Sequence, residues 1–155
     1  MSRLWTGHPP LTLSEHGVLL ALSPPWAAAA LSALQSAGVS PQIADTTEEA
    51  IQSLKFQQPD FLLLSENFCS RDDHPNPLLD YIQRMPTRLR REFFVIFIGT
   101  IVKSGDLLSA FSYSVNLVLQ PDKLPDLVAY ITESWTIWKE LYQMFIQSRI
   151  QLTGY

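Results

Sequence analysis

A doubly wound α/β fold, with a parallel sheet covered by helices on both faces, is predicted for this 155-residue chain by three observations. Short apolar runs alternate with longer stretches of helical spacing. Most of the runs are continuous rather than alternating in polarity, as strands buried on both faces require. Proline, glycine and capping residues fall between the two kinds of segment, where an α/β unit must turn.

Residues 1–16 carry Gly7, Pro9 and Pro10 without sustained periodicity and read as a tail, leaving 17–155 as the domain. Val18 to Leu22 is the first strand. Ser23, Pro24 and Pro25 end it and suit the first turn of a helix that runs from Trp26 through the alanines to a stop at Gly38. Gln42 to Ala44 is a short second strand. Asp45 or Thr46 caps the next helix, in which Thr46 and Glu49 have capping-box spacing and Ala50, Ile51 and Leu54 face inward. Phe61 to Leu64, led by Pro59-Asp60, is the third strand. A polar loop from Glu66 to Pro77 precedes a helix built on Leu78, Leu79, Ile82 and Met85, with a kink or break expected at Pro86. Phe93 to Ile98 is the fourth strand, and Leu107, Leu108 and Phe111 mark a helix. Asn116 to Leu119 is the fifth strand, and a final helix runs from about Pro125 to near Arg149. Five strands alternating with five helices define the three-layer sandwich.

The 46% apolar and 17% charged composition describes one compact domain with a real core. A net charge of −4 argues against a nucleic-acid partner, which selects for a broad basic face. The single cysteine, Cys69, has no internal disulfide partner, consistent with a reducing compartment. The first ten residues lack the apolar core of a secretory signal, and runs such as Phe93 to Ile98 fall far short of the ~20 residues that span a bilayer. A soluble cytoplasmic protein with no membrane contact is expected.

The Pro-Asp lead into the third strand, the five-unit alternation and the Gln120-Pro121 step after the fifth strand resemble the receiver domain of bacterial response regulators. The resemblance covers roughly residues 17–146. It implies strand order 2-1-3-4-5, a flavodoxin-like arrangement, with a ligand site at the carboxyl ends of the strands. It also implies four functional positions. An acidic pair after the first strand would hold Mg²⁺, and this chain has Leu22 and Ser23. The acceptor aspartate would close the third strand, where Ser65 stands. A hydroxyl residue would end the fourth strand, where Gly99 is followed one residue late by Thr100. A lysine would precede the proline, where Gln120 stands. Carboxylates hold a hard cation through oxygen, and the metal and lysine neutralise phosphoryl charge. All four functions are missing together, which suggests a degenerate receiver, without enzymatic activity, cofactor or metal, that acts by protein contact. Two alternatives stay open: a receiver with its acceptor displaced to Glu66 or Asp60, and a small-ligand or nucleotide binder using the same crevice.

Asp72, Asp73 and His74 lie in the polar loop, where three adjacent residues rarely converge on one ion. Ser65 lacks the Gly-Xaa-Ser-Xaa-Gly turn of a hydrolase nucleophile. Arg84, Arg88, Arg90 and Arg91 form the basic cluster and suit a solvated helix end. His8 and His16 fall in the tail. In the last helix Ile131, Trp135, Trp138, Tyr142 and Phe145 form an aromatic stripe at 3 and 4 spacing. Its first half is expected to pack on the sheet, and its second half, longer than the sheet requires, to rest on the N-terminal tail, on a second copy or on a partner. The resemblance to receivers adds the fourth-helix and fifth-strand face, so the candidate interaction surface is Leu107, Phe111, Tyr113, Leu117, Trp138, Tyr142 and Phe145. The partner is a protein, with a homodimer through the last helix or through the fourth-helix and fifth-strand face as one form.

Overall fold

The apolar runs pair side by side and in parallel. In the computed structural model, which describes residues 11–153 and their side chains except at 142, 143 and 145–153, β1 is Val18–Ala21, β2 Gln42–Ile43, β3 Phe61–Ser65, β4 Phe94–Ile98 and β5 Leu117–Leu119. Their order is β2-β1-β3-β4-β5, as the resemblance implies. The register sets Leu20 opposite Leu63, Ser65 opposite Ile98 and Ile98 opposite Leu119, so the carboxyl ends of the central strands finish close together.

Period-2 alternation sorts each buried run into two cores. Leu20, Phe61, Leu63, Phe94 and Ile96 pack with Ala30 and Leu34 of α1 (Pro24–Ser36) and with Leu127 and Ile131 of α6 (Leu127–Thr153). Leu62, Leu64, Val95, Phe97 and Val118 pack on the other face. Their partners are Ala50 of α2 (Thr47–Phe56), Leu78 and Ile82 of α3 (Pro77–Gln83) and Ala110 of α5 (Leu107–Tyr113). Each fully buried Leu, Ile or Phe among them contributes about 1.5–3 kcal/mol of transfer free energy.

The local signals act where the sequence places them. Gly38 takes φ +78°, a left-handed value that ends α1 without Cβ strain. Thr46 Oγ1 accepts from Glu49 N at 3.1 Å, while the Glu49 carboxylate accepts from Asp45 N at 2.9 Å, one residue earlier than the simplest capping box. Pro86 breaks the helix outright: α3 ends at Gln83, and the separate turn α4 (Thr87–Arg90) follows. Proline has no N–H to donate there, and its ring crowds the preceding turn.

Three expectations change. The tail joins the domain before Gly17, because Leu13 is buried and His16 Nδ1 lies 3.2 Å from Asp60 Oδ2, with its ring edge-on to Phe61. Asp60 also accepts from Gly17 N, which accounts for the Pro-Asp lead as a tie at the start of β3. Asn116 precedes β5 rather than opening it. Its Oδ1 accepts from Val95 N at 2.8 Å, and Arg90 bonds the same oxygen, Ser114 O and Phe93 O. Arg90 is thus a clip between chain segments, and its burial lowers the guanidinium pKa to about 10, still charged at neutral pH. Finally, Pro121–Asp126 forms a 3-10 turn ahead of α6.

Candidate functional site

Ser65 is the last residue of β3 and is fully buried. Its Oγ accepts from Ser23 N at 3.1 Å and lies 3.3 Å from Ser23 Oγ, either hydroxyl donating. β1 and β3 are neighbours, so the residues that follow them converge although they are far apart in the chain. Leu22, between β1 and Ser23, is buried in the core shared with α1 and α6. The Ser65 carbonyl accepts from Asn76 Nδ2 at 2.9 Å, and the Glu66 carbonyl from the same nitrogen at 2.8 Å. Asn76 Oδ1 in turn accepts from Leu79 N and caps α3. One buried amide therefore fixes the strand end and starts the next helix. The Asn-Pro pair at its N-terminus was the sequence signal for this role.

The neighbouring end of β4 is organised by a carboxylate. Glu66 Oε1 accepts from Thr100 N at 3.1 Å and from Thr100 Oγ1 at 2.8 Å. Gly99 makes this possible: a Cβ there would stand 3.0 Å from Glu66 Oε2 and 3.1 Å from the Phe97 ring. Gln120 is held through its backbone N–H by Ser104 Oγ at 2.9 Å. The structure thus brings Ser23 to Ser65, and Thr100 to Glu66. Sequence reading missed the Asn76 clip, the Glu66–Thr100 link and the Ser104 contact.

This arrangement supplies hydroxyls, amides and one engaged carboxylate. Among the described residues, no group of three His, Cys, Asp or Glu side chains is placed to hold a metal ion. His74 of the polar loop turns instead to Asp80, at 3.4 Å, and Arg84 joins the same carboxylate at 3.1 Å. Cys69 Sγ donates to Asp45 O at 3.4 Å.

The candidate interaction residues divide. Leu107 and Phe111 stand on α5 at 70% and 84% exposure, with Leu108 beside them at 77%. Tyr113 is half-buried and stacks on Phe97 with centroids 4.7 Å apart. Leu117 is a correction: as a β5 residue it points into the core and is 4% exposed. Trp138 is half-buried, stacked on Trp135 at 5.6 Å and edge-on to Phe94, and it also borders the groove between α5 and α6. Tyr142 and Phe145 lie outside the described residues. A second stripe on α6, Ile137, Leu141 and Met144, faces outward. Together with Leu107, Ala110 and Tyr130, its first two residues line a groove of about 290 Å³ beside β5. A larger groove of about 460 Å³ lies by β2 and α2, with Ile43 and Phe56 among amide side chains, and none of the strand-end residues above borders it.

No family model matches the chain, and no curated protein matches it by sequence. Solved structures do match. One is the N-terminal domain of a response regulator/sensory box/GGDEF 3-domain protein from Carboxydothermus hydrogenoformans, at TM-score 0.58 and 15% identity, covering 81% of this chain and 98% of that one. A second is an orphan response regulator of H. pylori, at TM-score 0.58 and 14% identity, covering 78% and 97%. A third is the N-terminal domain of a response regulator receiver protein from Methanoculleus marisnigri, at TM-score 0.51 and 18% identity, covering 68% and 83%.

The chain has the receiver fold. In a doubly wound sheet of this order, the crevice at the carboxyl ends of the central strands is where ligands bind. The Ser23–Ser65 pair lies at that position. No described helix is long and apolar enough to cross a membrane.

Proposed function

We propose that this receiver-fold chain is a signalling module that accepts no phosphoryl group and works by protein contact. Ser65 carries the reading: at the strand end where an acceptor carboxylate would stand, a fully buried hydroxyl is held by Ser23. A hydroxyl cannot form an acyl phosphate. Leu22 and Ser23 bring no carboxylates for a cation, and Gln120 brings no ammonium to neutralise phosphoryl charge. Glu66, the nearest carboxylate in sequence, is engaged by both donors of Thr100. Two-component-type signalling in the bacterial cytoplasm is the setting this reading implies, with no catalysis, cofactor or metal of the module's own. Its input is then a binding event, and its output face is the set of exposed apolar side chains on α5 and α6 that flank β5.

The test is incubation with Mg²⁺ and a small acyl-phosphate donor, followed by intact-mass measurement, alongside calorimetric titration with Mg²⁺ alone. No mass gain and no heat of binding are expected. A stable phosphoryl adduct on Glu66 or Asp60 would overturn the reading in favour of a displaced acceptor.

A further inference from the structure

We infer that residues 1–10, which lie ahead of the described chain, dock in the groove between α5 and α6 as an intramolecular cover. The inference deepens the protein-contact reading above, on which it rests, by naming what regulates access to that face.

The place where the chain enters the domain favours this occupant. Leu11, the first described residue, is partly buried and packs on the core shared by α1 and α6, as Trp135 and Trp138 do. The His16 ring lies 6.1 Å from Trp135, Trp135 stacks on Trp138 at 5.6 Å, and Trp138 borders the groove. A ladder of rings therefore leads from the start of the domain to the groove wall. Ten residues span up to roughly 33 Å when extended, ample for that distance.

The chemistry of the groove selects the same segment. Leu107, Ala110, Ile137 and Leu141 give it apolar walls, and Asp106 and Glu133 also line it. Among the described residues no Lys or Arg borders it. Residues 1–10, Met-Ser-Arg-Leu-Trp-Thr-Gly-His-Pro-Pro, hold no carboxylate side chain and set Arg3 beside Leu4 and Trp5. Leu4 and Trp5 match the apolar walls, and Arg3 matches the two carboxylates. Trp and Arg are the side chains most enriched at the energetic centres of protein contacts. At about 290 Å³ the groove falls at the small end of ligand cavities and suits inserted side chains.

A short tether presents such an anchor at an effective concentration in the millimolar range. A contact of sub-millimolar intrinsic affinity therefore fills the groove. A protein partner then has to displace the segment, which makes access to this part of the face conditional.

The test places a nitroxide on the thiol of Ser2→Cys in the full chain, in a Cys69→Ser background, and reads methyl signals by NMR. The Leu107, Ile137 and Leu141 methyls are expected to lose most of their intensity, to the same extent on dilution. Leu4→Ser with Trp5→Ser is expected to restore that intensity, with circular dichroism unchanged. Sharp groove methyls in the nitroxide-bearing parent overturn the inference and leave the groove to a separate protein. Broadening that arises only between different molecules in a mixture overturns it in favour of a second copy. Broadening that survives both serine substitutions overturns it by removing the anchor. Phosphoryl acceptance is read independently by the mass measurement, so failure of the protein-contact reading and failure of this inference are distinguishable.

Discussion

The ends of β1 and β3 and the α5–α6 face handle their polarity in opposite ways. At the strand ends the residues are polar by type, Ser23, Ser65 and Asn76, yet their hydrogen-bonding groups are turned on one another. On the α5–α6 face the side chains are apolar by type, yet Leu107, Leu108 and Phe111 stand in solvent. A buried polar group costs free energy unless it is paired, so the first region gains stability by closing. An exposed apolar patch gains only when something covers it, so the second region is stable alone but incomplete. The strand-end polar groups satisfy one another, whereas the apolar side chains of α5 stay exposed.

The sharpest contrast is within α6 itself. Trp135, which touches Phe61, Phe94 and Trp138 with Lys139 over its outer side, belongs to the inward stripe. Trp135→Ala is expected to cost about 3–5 kcal/mol in chemical denaturation. Ile137→Ser, two residues on and facing outward, should cost well under half as much. Equal costs would show that α6 has no free face.

Breaking the Ser23–Ser65 pair is the next largest effect. Ser65→Asp places a carboxylate where Ser23 now satisfies a buried hydroxyl, and a destabilisation of about 2–3 kcal/mol is expected. Phosphoryl labelling of that variant should stay absent, because the metal carboxylates and the lysine are still missing. Labelling of the single variant would show that the crevice keeps more machinery than its residues suggest.

Glu66→Ala removes the acceptor for both Thr100 donors at a partly exposed site, so a loss of about 1 kcal/mol is expected. Amide exchange read by NMR should accelerate at Thr100 and leave the β3 and β4 amides protected. Unchanged exchange at Thr100 would mean that the loop is held by Ser104 and Val102 alone.

The smallest effect is a pH dependence on the open face. Asp106 caps α5 through Leu108 N and the Ser109 hydroxyl, and the Ser109 bond foremost holds its carboxyl below the usual range. A carboxyl with a lower pKa folded than unfolded contributes stability above its unfolded value, about 3.9. That contribution is lost as pH falls through the folded value. Stability should therefore decline on acidification below the ordinary carboxylate range, and Asp106→Asn should flatten that decline in pH-dependent melts.

The strands, the helix order and most boundaries follow from the sequence alone, because their causes act within a few residues. Continuous apolar runs exclude water on both faces, Thr46 and Glu49 satisfy free N–H groups of one helix turn, and Pro86 denies a donor at its own position. Leu22, Ser23, Ser65 and Gln120 could be set at strand ends by counting, and the resemblance to receivers gave those positions their meaning. Tertiary structure alone determined how those positions are used. Ser23 meets Ser65 across 42 residues, Thr100 meets Glu66 across 34, and Arg90 reaches Asn116 across 26. No local propensity encodes such pairs; they exist because the parallel order sets β1 and β4 on either side of β3 and β5 beside β4. The same cause reassigned Leu117, whose strand spacing could not say which face the sheet would cover. Outward-facing Ile137, Leu141 and Met144 emerged only when α6 was laid against Phe61 and Phe94, since a helix with two apolar stripes does not announce which one the core will take.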